Sequence, residues 1–73
     1  MREVKEGQVY KHFKNIIVEV LCVAKDAENL KEMVFYKHID NGDIWVRPIE
    51  EFLSEVNHEK YPDVKQKYRF ELQ

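Results

Sequence analysis

A twelve-residue segment in the middle of the chain, residues 42–53, constrains the fold more than any other part of the sequence. It joins a short stretch of β-branched and aromatic residues, Ile44 to Arg47, to Pro48 and an apolar spacing typical of a helix. Pro48 suits the first helical position, because the N–H that proline lacks would have no partner there. The apolar residues that follow have the spacing i, i+3, i+4 and i+7, which predicts a helix of two to three turns that ends near Asn57. These residues are Ile49, Phe52, Leu53 and Val56.

The Asn41-Gly42 pair just before this segment is the strongest hairpin signal in the sequence. The strand that follows it is therefore expected to pair antiparallel with the strand before it. Alternation and turn residues predict five strands: Gln8 to Phe13, Ile16 to Ala24, Glu32 to Ile39, Ile44 to Arg47 and Tyr68 to Leu72.

The order β-β-β-β-α-β predicts a mostly β protein, a small SH3-like antiparallel barrel with one short helix before the last strand. An open, curled antiparallel sheet with the helix on one face is the alternative. Both arrangements are expected to bury the same apolar residues: Val18, Val20, Val34, Val46, Phe52 and Phe70.

Length and composition bound the class of protein. The 73 residues predict one small domain covering residues 1–73. The apolar runs are too short for a membrane span, and the single cysteine, Cys22, excludes an internal disulfide, so we expect a cytoplasmic protein with no membrane partner. Cys22 lies in an apolar run and is expected to be a small buried side chain. The net charge of -2 gives no long-range attraction for nucleic acid, which would need a local basic patch.

Three motifs carry a resemblance to a known family. They are Tyr-x-His-Phe-Lys at residues 10–14, Trp-Val-Arg-Pro at residues 45–48 and Arg-Phe at residues 69–70. In these motifs the chain resembles a family of small bacterial proteins known as domain of unknown function 1653, over nearly its full length. Asn15 stands where the family has glycine, and Glu28 is the residue retained from the family's His-Ser/Thr-Glu-Thr loop. The resemblance implies a fold and candidate positions, but no chemistry.

Strand alternation places Trp45 and Arg47 on the same face of their strand. In the same way, Tyr36 and His38 share a face of the third strand, and Tyr10 and His12 share a face of the first. If these faces coincide, the residues form an aromatic and basic recognition surface. Trp can stack on a flat ligand, Arg can bind a carboxylate or phosphate, and Tyr and His can add directed hydrogen bonds. The predicted ligand-binding residues are Tyr10, His12, Glu28, Tyr36, Trp45 and Arg47. In the structural alternative, Trp45 fills the barrel mouth and Arg47 pairs with Glu28 or a helix carboxylate.

Catalytic and metal chemistry find little support in the sequence. The three histidines lack the spacing of metal ligands. The chain has one serine, Ser54, no threonine, and one cysteine that is expected to be buried, so an activated nucleophile is not evident. We therefore expect no catalytic residues, no bound metal and no cofactor.

These observations leave two main classes of function. The first is a non-catalytic binding module with a protein or peptide partner, which the net acidity favours. The second is a nucleic-acid-associated domain in which aromatic rings stack on the bases of a single strand and Lys11, Lys14 and Arg47 contact phosphates. A strong salt dependence would favour the second class. A small enzyme or accessory subunit is the least favoured function, and the oligomeric state is left open.

Overall fold

The computed structural model describes residues 3–73, in which five strands form one antiparallel sheet. The strands are β1 (Val9–His12), β2 (Ile16–Lys25), β3 (Glu32–His38), β4 (Ile44–Pro48) and β5 (Phe70–Leu72), and one helix, α1 (Ile49–Phe52), lies between β4 and β5. This confirms the predicted mostly β fold with a short helix before the last strand. The strand order is β4-β3-β2-β1-β5. The two edge strands, β4 and β5, do not pair with each other, so the sheet is open. The SH3-like barrel therefore describes it only loosely.

Two turns set the register of the sheet near the candidate site. Between β1 and β2, Asn15 takes a positive φ of 66°, as its tolerance of that conformation allows. This turn places His12 opposite Ile16. Between β3 and β4, Gly42 has a φ of 77°, and its N–H donates to the carbonyl of His38. The predicted antiparallel pairing of β3 with β4 is confirmed.

A β-bulge in β2 reverses which residues face inward. Val20 lies opposite Tyr36 but Cys22 lies opposite Phe35, so Leu21 is an extra residue without a partner on β3. Cys22 therefore points to the outer face of the sheet and is exposed, whereas Val23 packs against the core. The prediction that Cys22 is buried was wrong, because it was drawn from the apolar run alone, and the bulge turns this position of the run outward.

The helix is shorter than predicted. It has one turn, Pro48 ends β4 rather than beginning the helix, and Leu53 is the C-cap. After it the chain becomes extended, because the N–H of Arg69 donates to the carbonyl of Ser54 and the N–H of Val56 donates to that of Lys67. The Ser54 hydroxyl also donates to the carbonyl of Glu51, a local bond that competes with helix formation. These hydrogen bonds to the segment before β5 replace the bonds of a second helical turn.

The core lies between the inner face of the sheet and α1. Five of the six predicted core residues are buried: Val18, Val20, Val34, Phe52 and Phe70. Val46 is the exception, with 49% of its surface exposed. It lies opposite Phe35 on the outer face of an edge strand, so no other element covers it.

Across residues 3–73, the structure contains no helix that is long and apolar enough to cross a lipid bilayer.

Candidate functional site

A cavity of about 460 Å³ opens at one end of the inner sheet face. The strand register places four residues at this end of the sheet. His12 and His38 are the last residues of their strands, and Ile16 and Phe70 are the first residues of theirs. Thirteen of the described residues line the cavity. Seven carry aromatic rings and four carry cationic side chains, and the remaining two are Ile16 and Asn57.

Three of the rings come from β3 and β4. Tyr36 lies opposite Trp45 in the strand register. The His38 ring lies near both, with its centroid 5.7 Å from that of Trp45 and 6.1 Å from that of Tyr36. Trp45 is 51% exposed, so its indole lies at the mouth of the cavity and can contact a bound molecule.

The other four rings continue the line toward β1 and the loop at residues 57–67. Phe70 contacts Tyr36, with centroids 5.4 Å apart, and His12, with centroids 4.8 Å apart. His12 in turn contacts Phe13 at 4.4 Å, and Phe13 contacts Tyr61 at 5.0 Å. The seven rings thus form one continuous series of contacts from Trp45 to Tyr61, which we call the ring series.

Arg47 is held over this series by three groups. Its Nε donates to the Tyr36 hydroxyl at 3.3 Å, its Nη1 lies 3.7 Å from Oε2 of Glu51, and its Cζ lies 5.8 Å from the Phe70 ring centroid. The carboxylate partner of Arg47 is therefore the helix residue Glu51, one of the two partners expected in the structural alternative. The guanidinium still lines the cavity.

Lys14, Lys60 and Arg69 are the other three cationic side chains that line the cavity. Lys14 Nζ lies 5.9 Å from the Phe13 ring centroid and 5.7 Å from that of Tyr61. Lys60 Nζ lies 5.4 Å from the Tyr61 centroid. Arg69 is positioned by its Nε, which donates to the Ser54 hydroxyl at 3.1 Å. Neither lysine ammonium has a carboxylate within salt-bridge distance in the part of the chain that the structure describes.

The side chain of His12 lies at the centre of these charges. Desolvation by burial, and then the positive charges of Arg47, Arg69 and Lys14, lower the pKa of His12 to about 4. The ring is therefore neutral at pH 7. Its Nδ1 accepts the Lys14 backbone N–H at 3.1 Å, so the ring proton is on Nε2, which is a hydrogen-bond donor.

The charge of the lining contrasts with that of the rest of the protein. No aspartate or glutamate lines the cavity within residues 3–73. Four of the 12 Lys and Arg residues do, which leaves eight against 14 acidic residues and a formal charge of -6 elsewhere. A net acidic chain therefore concentrates positive charge in one aromatic cavity, the local basic patch that its overall charge does not suggest.

The loop at residues 57–67 is anchored to the sheet and forms one wall of the cavity. The Gln66 side-chain amide donates to the carbonyls of Lys11 and Tyr68, at 2.8 and 2.9 Å. At the start of the loop, Asn57 Oδ1 accepts backbone N–H groups of Glu59 and Lys60. These bonds fix the segment that presents Tyr61 to the cavity.

The structure brings four of the six predicted ligand-binding residues together and separates the other two. His12, Tyr36, Trp45 and Arg47 line the cavity. Tyr10 is 2% exposed, and its hydroxyl donates to Gln8 Oε1, so it belongs to the core. Glu28 lies exposed in the β2–β3 loop, where its N–H bonds Asp26, and it does not line the cavity.

Several lining residues were missed by sequence reasoning. Lys60 and Tyr61 lie in a polar segment that was predicted only as a loop, and no local pattern indicated that it folds over the sheet. Arg69 and Phe13 belong to the motifs that carry the family resemblance, and that signal marked both positions. Within residues 3–73, no cluster of histidine, cysteine and carboxylate side chains has the arrangement of a metal site.

Comparison with known families places the chain. Residues 8–72 match a family described as a protein of unknown function (DUF1653). The match covers most of the 73 residues, and the chain belongs to this family. Searches of the curated proteins and of the solved structures give no match.

Proposed function

We propose that this protein is a non-catalytic binding module whose recognition site is the aromatic and basic cavity, and that its ligand is negatively charged. One observation carries the proposal: four cationic side chains and seven rings converge on a cavity whose lining, within residues 3–73, includes no carboxylate. Arginine and lysine in such a setting recognise carboxylate or phosphate groups, and rings add stacking area for a flat group.

The composition of the lining supports a binding role over catalysis. Nucleophilic catalysis uses serine, cysteine or threonine beside a base, a carboxylate, or lysine, histidine or tyrosine. Within residues 3–73, the lining includes no serine, cysteine, threonine or carboxylate, and we assign its lysine, histidine and tyrosine side chains to ligand binding. The same residues that would hold an anion are fixed by other contacts, as when Arg47 bonds Tyr36, so the cavity is partly preorganised.

The charge distribution favours a protein or peptide partner over a nucleic-acid strand as the ligand that carries the anion. A protein or peptide partner with one acidic or phosphorylated group can place that group in the cavity. The charge of -6 outside the cavity repels a long polyanion, so an extended single strand of nucleic acid is the weaker alternative. The location that we propose, the cytoplasm, is supported by the free and exposed thiol of Cys22, which suits a reducing compartment.

Trp45 gives a direct test, because it is the single tryptophan of the chain and lies at the mouth of the cavity. We expect pyrophosphate, used as a multivalent anion, to change the Trp45 fluorescence in a saturable manner. The variant Lys14→Gln/Lys60→Gln should bind more weakly, whereas Lys25→Gln/Lys31→Gln, which removes the same charge away from the cavity, should not. Equal binding by both double variants, or no response to pyrophosphate, would contradict the proposal.

A further inference from the structure

We propose that the ligand of this cavity is a nucleoside monophosphate, with its base on the rings of Trp45 and His38 and its phosphate beside His12. This inference rests on the proposed function and specifies the anion that the function leaves open. The inference follows from the two ends of the ring series: the cationic side chains lie near His12, whereas the half-exposed Trp45 ring, which has no overlying cation within residues 3–73, lies at the other end beside His38.

The phosphate end is defined by cations on both sides of His12. On one side, Lys14 lies over Phe13, the ring that contacts His12. On the other side, Arg47 lies over Phe70, which also contacts His12. The His12 Nε2–H donor has no protein acceptor within the described residues, so it can donate to a phosphate oxygen.

The base end is defined by the two rings nearest the mouth. The planes of His38 and Trp45 are inclined by 31°, and no cationic group lies over the Trp45 ring in the part of the chain that is described. The indole is half exposed although it belongs to the inner face of its strand. An exposed indole beside a second ring is a stacking surface for a nucleobase, since every base has a π face.

The size and charge of the site favour a single nucleotide over a polymer. The cavity volume of about 460 Å³ lies in the range of small-molecule pockets. A phosphomonoester carries a charge of about -1.5 to -2 at pH 7, and three acceptor oxygens, which matches several convergent donors better than one carboxylate does. Additional phosphates of a strand would leave the cavity and meet the acidic remainder of the surface.

The decisive experiment measures binding affinities for the full chain by Trp45 fluorescence and calorimetry. It compares AMP and UMP with their nucleosides, with inorganic phosphate and with a ten-nucleotide single strand. At least one nucleotide should bind ten-fold or more tightly than its nucleoside and than inorganic phosphate. The oligonucleotide should bind no more tightly than that nucleotide at 150 mM salt. The Lys14→Gln/Lys60→Gln variant should lose at least ten-fold in nucleotide affinity, whereas Lys25→Gln/Lys31→Gln should retain it.

Two results would overturn the inference. If pyrophosphate binds but neither nucleotide exceeds inorganic phosphate, the cavity recognises anions without a base, and the proposed function stands while the nucleotide assignment fails. If the oligonucleotide, or a phosphotyrosine peptide added to the panel, binds ten-fold more tightly than both nucleotides, the ligand is a macromolecule. Because the Lys14 and Lys60 side chains are exposed, their substitution should not prevent folding, which circular dichroism checks.

Discussion

Phe52 of α1 stacks face to face on Phe70 of β5, with ring centroids 4.2 Å apart and planes inclined by 7°. Both side chains are almost fully buried. The stack connects α1 to β5. The Phe70 ring also contacts the His12 ring and lies under the Arg47 guanidinium at the cavity. The same residue thus belongs to the core and to the floor of the candidate site, so that packing in the core positions the groups that we expect to bind an anion.

Loss of this stack should cost stability. We expect Phe52→Ala to lower the free energy of unfolding by about 3–5 kcal/mol, because it leaves a cavity among Tyr10, Tyr36 and Phe70. Chemical denaturation measures the change. Leu30→Ala, at a side chain that is 71% exposed, should change stability by less than about 0.5 kcal/mol. A loss below 1 kcal/mol in Phe52→Ala would show that α1 is not packed on the sheet.

The orientation of Cys22 can be tested with a thiol reagent. Because the bulge at Leu21 turns this side chain outward, Cys22 should react with a disulfide reagent in the native protein at a rate close to that in denaturant. A Cys22→Ser variant gives the background rate. Labelling that requires global unfolding would mean that β2 alternates without a bulge and that the thiol faces the core.

The neutral state of His12 predicts a pH dependence of stability. The unfolded histidine has a pKa near 6.5, and the folded one has a pKa of about 4, so the unfolded state binds more protons between these values. The contribution of His12 to stability is complete above pH 6.5 and is lost as the pH falls toward 4. His12→Asn retains an acceptor for the Lys14 N–H but does not titrate.

Denaturation from pH 4 to 7 compares the two proteins. The free energy of unfolding should fall less steeply on acidification in His12→Asn than in the wild type, while the other titrating groups are common to both. Parallel curves would show that His12 has the same pKa in the folded and unfolded states.

Glu51 is expected to compete with the ligand for Arg47. Its carboxylate lies 3.7 Å from the guanidinium and is 61% exposed, so the ion pair is weak in water. We expect Glu51→Gln to raise the affinity for pyrophosphate by about two- to fivefold, with a stability change below about 1 kcal/mol. Glu50→Gln makes the same change in net charge at the neighbouring position and should raise the affinity less. Equal gains from both variants would assign the effect to net charge and exclude competition at Arg47.

Much of the sheet was predictable from sequence, because local signals decide it. The Asn41-Gly42 pair marks the turn that sets the register between β3 and β4, and Asn15, a residue type that tolerates a positive φ, lies at the turn that sets the register between β1 and β2. The bulge at Leu21 was not predictable, since a run of apolar residues hides which one lacks a partner. That one residue changes the face of every later position in β2, including Cys22.

The helix and the cavity show a second limit. The apolar spacing from Ile49 to Val56 is typical of a helix, but the backbone N–H of Arg69 donates to Ser54 and the carbonyl of Lys67 accepts from Val56, which keeps the second half extended. Val56 is buried in the extended segment, as a residue on the apolar face of a helix is expected to be, so the apolar pattern could not distinguish the two conformations. Strand alternation led to four residues of the site, His12, Tyr36, Trp45 and Arg47. Lys60 and Tyr61 were not predicted, because a loop that crosses the sheet is positioned by tertiary bonds such as those of Gln66.

The most direct test of the central claim is a ¹H–¹⁵N NMR titration of the uniformly labelled protein with pyrophosphate. We predict saturable shifts confined to the segments that line the cavity, residues 12–16, 36–38, 45–47, 57–61 and 69–70, and to the Trp45 indole, with little change at Cys22 and Val23 on the far part of β2. The absence of shifts, or shifts centred outside these segments, would contradict the assignment of the cavity as the recognition site.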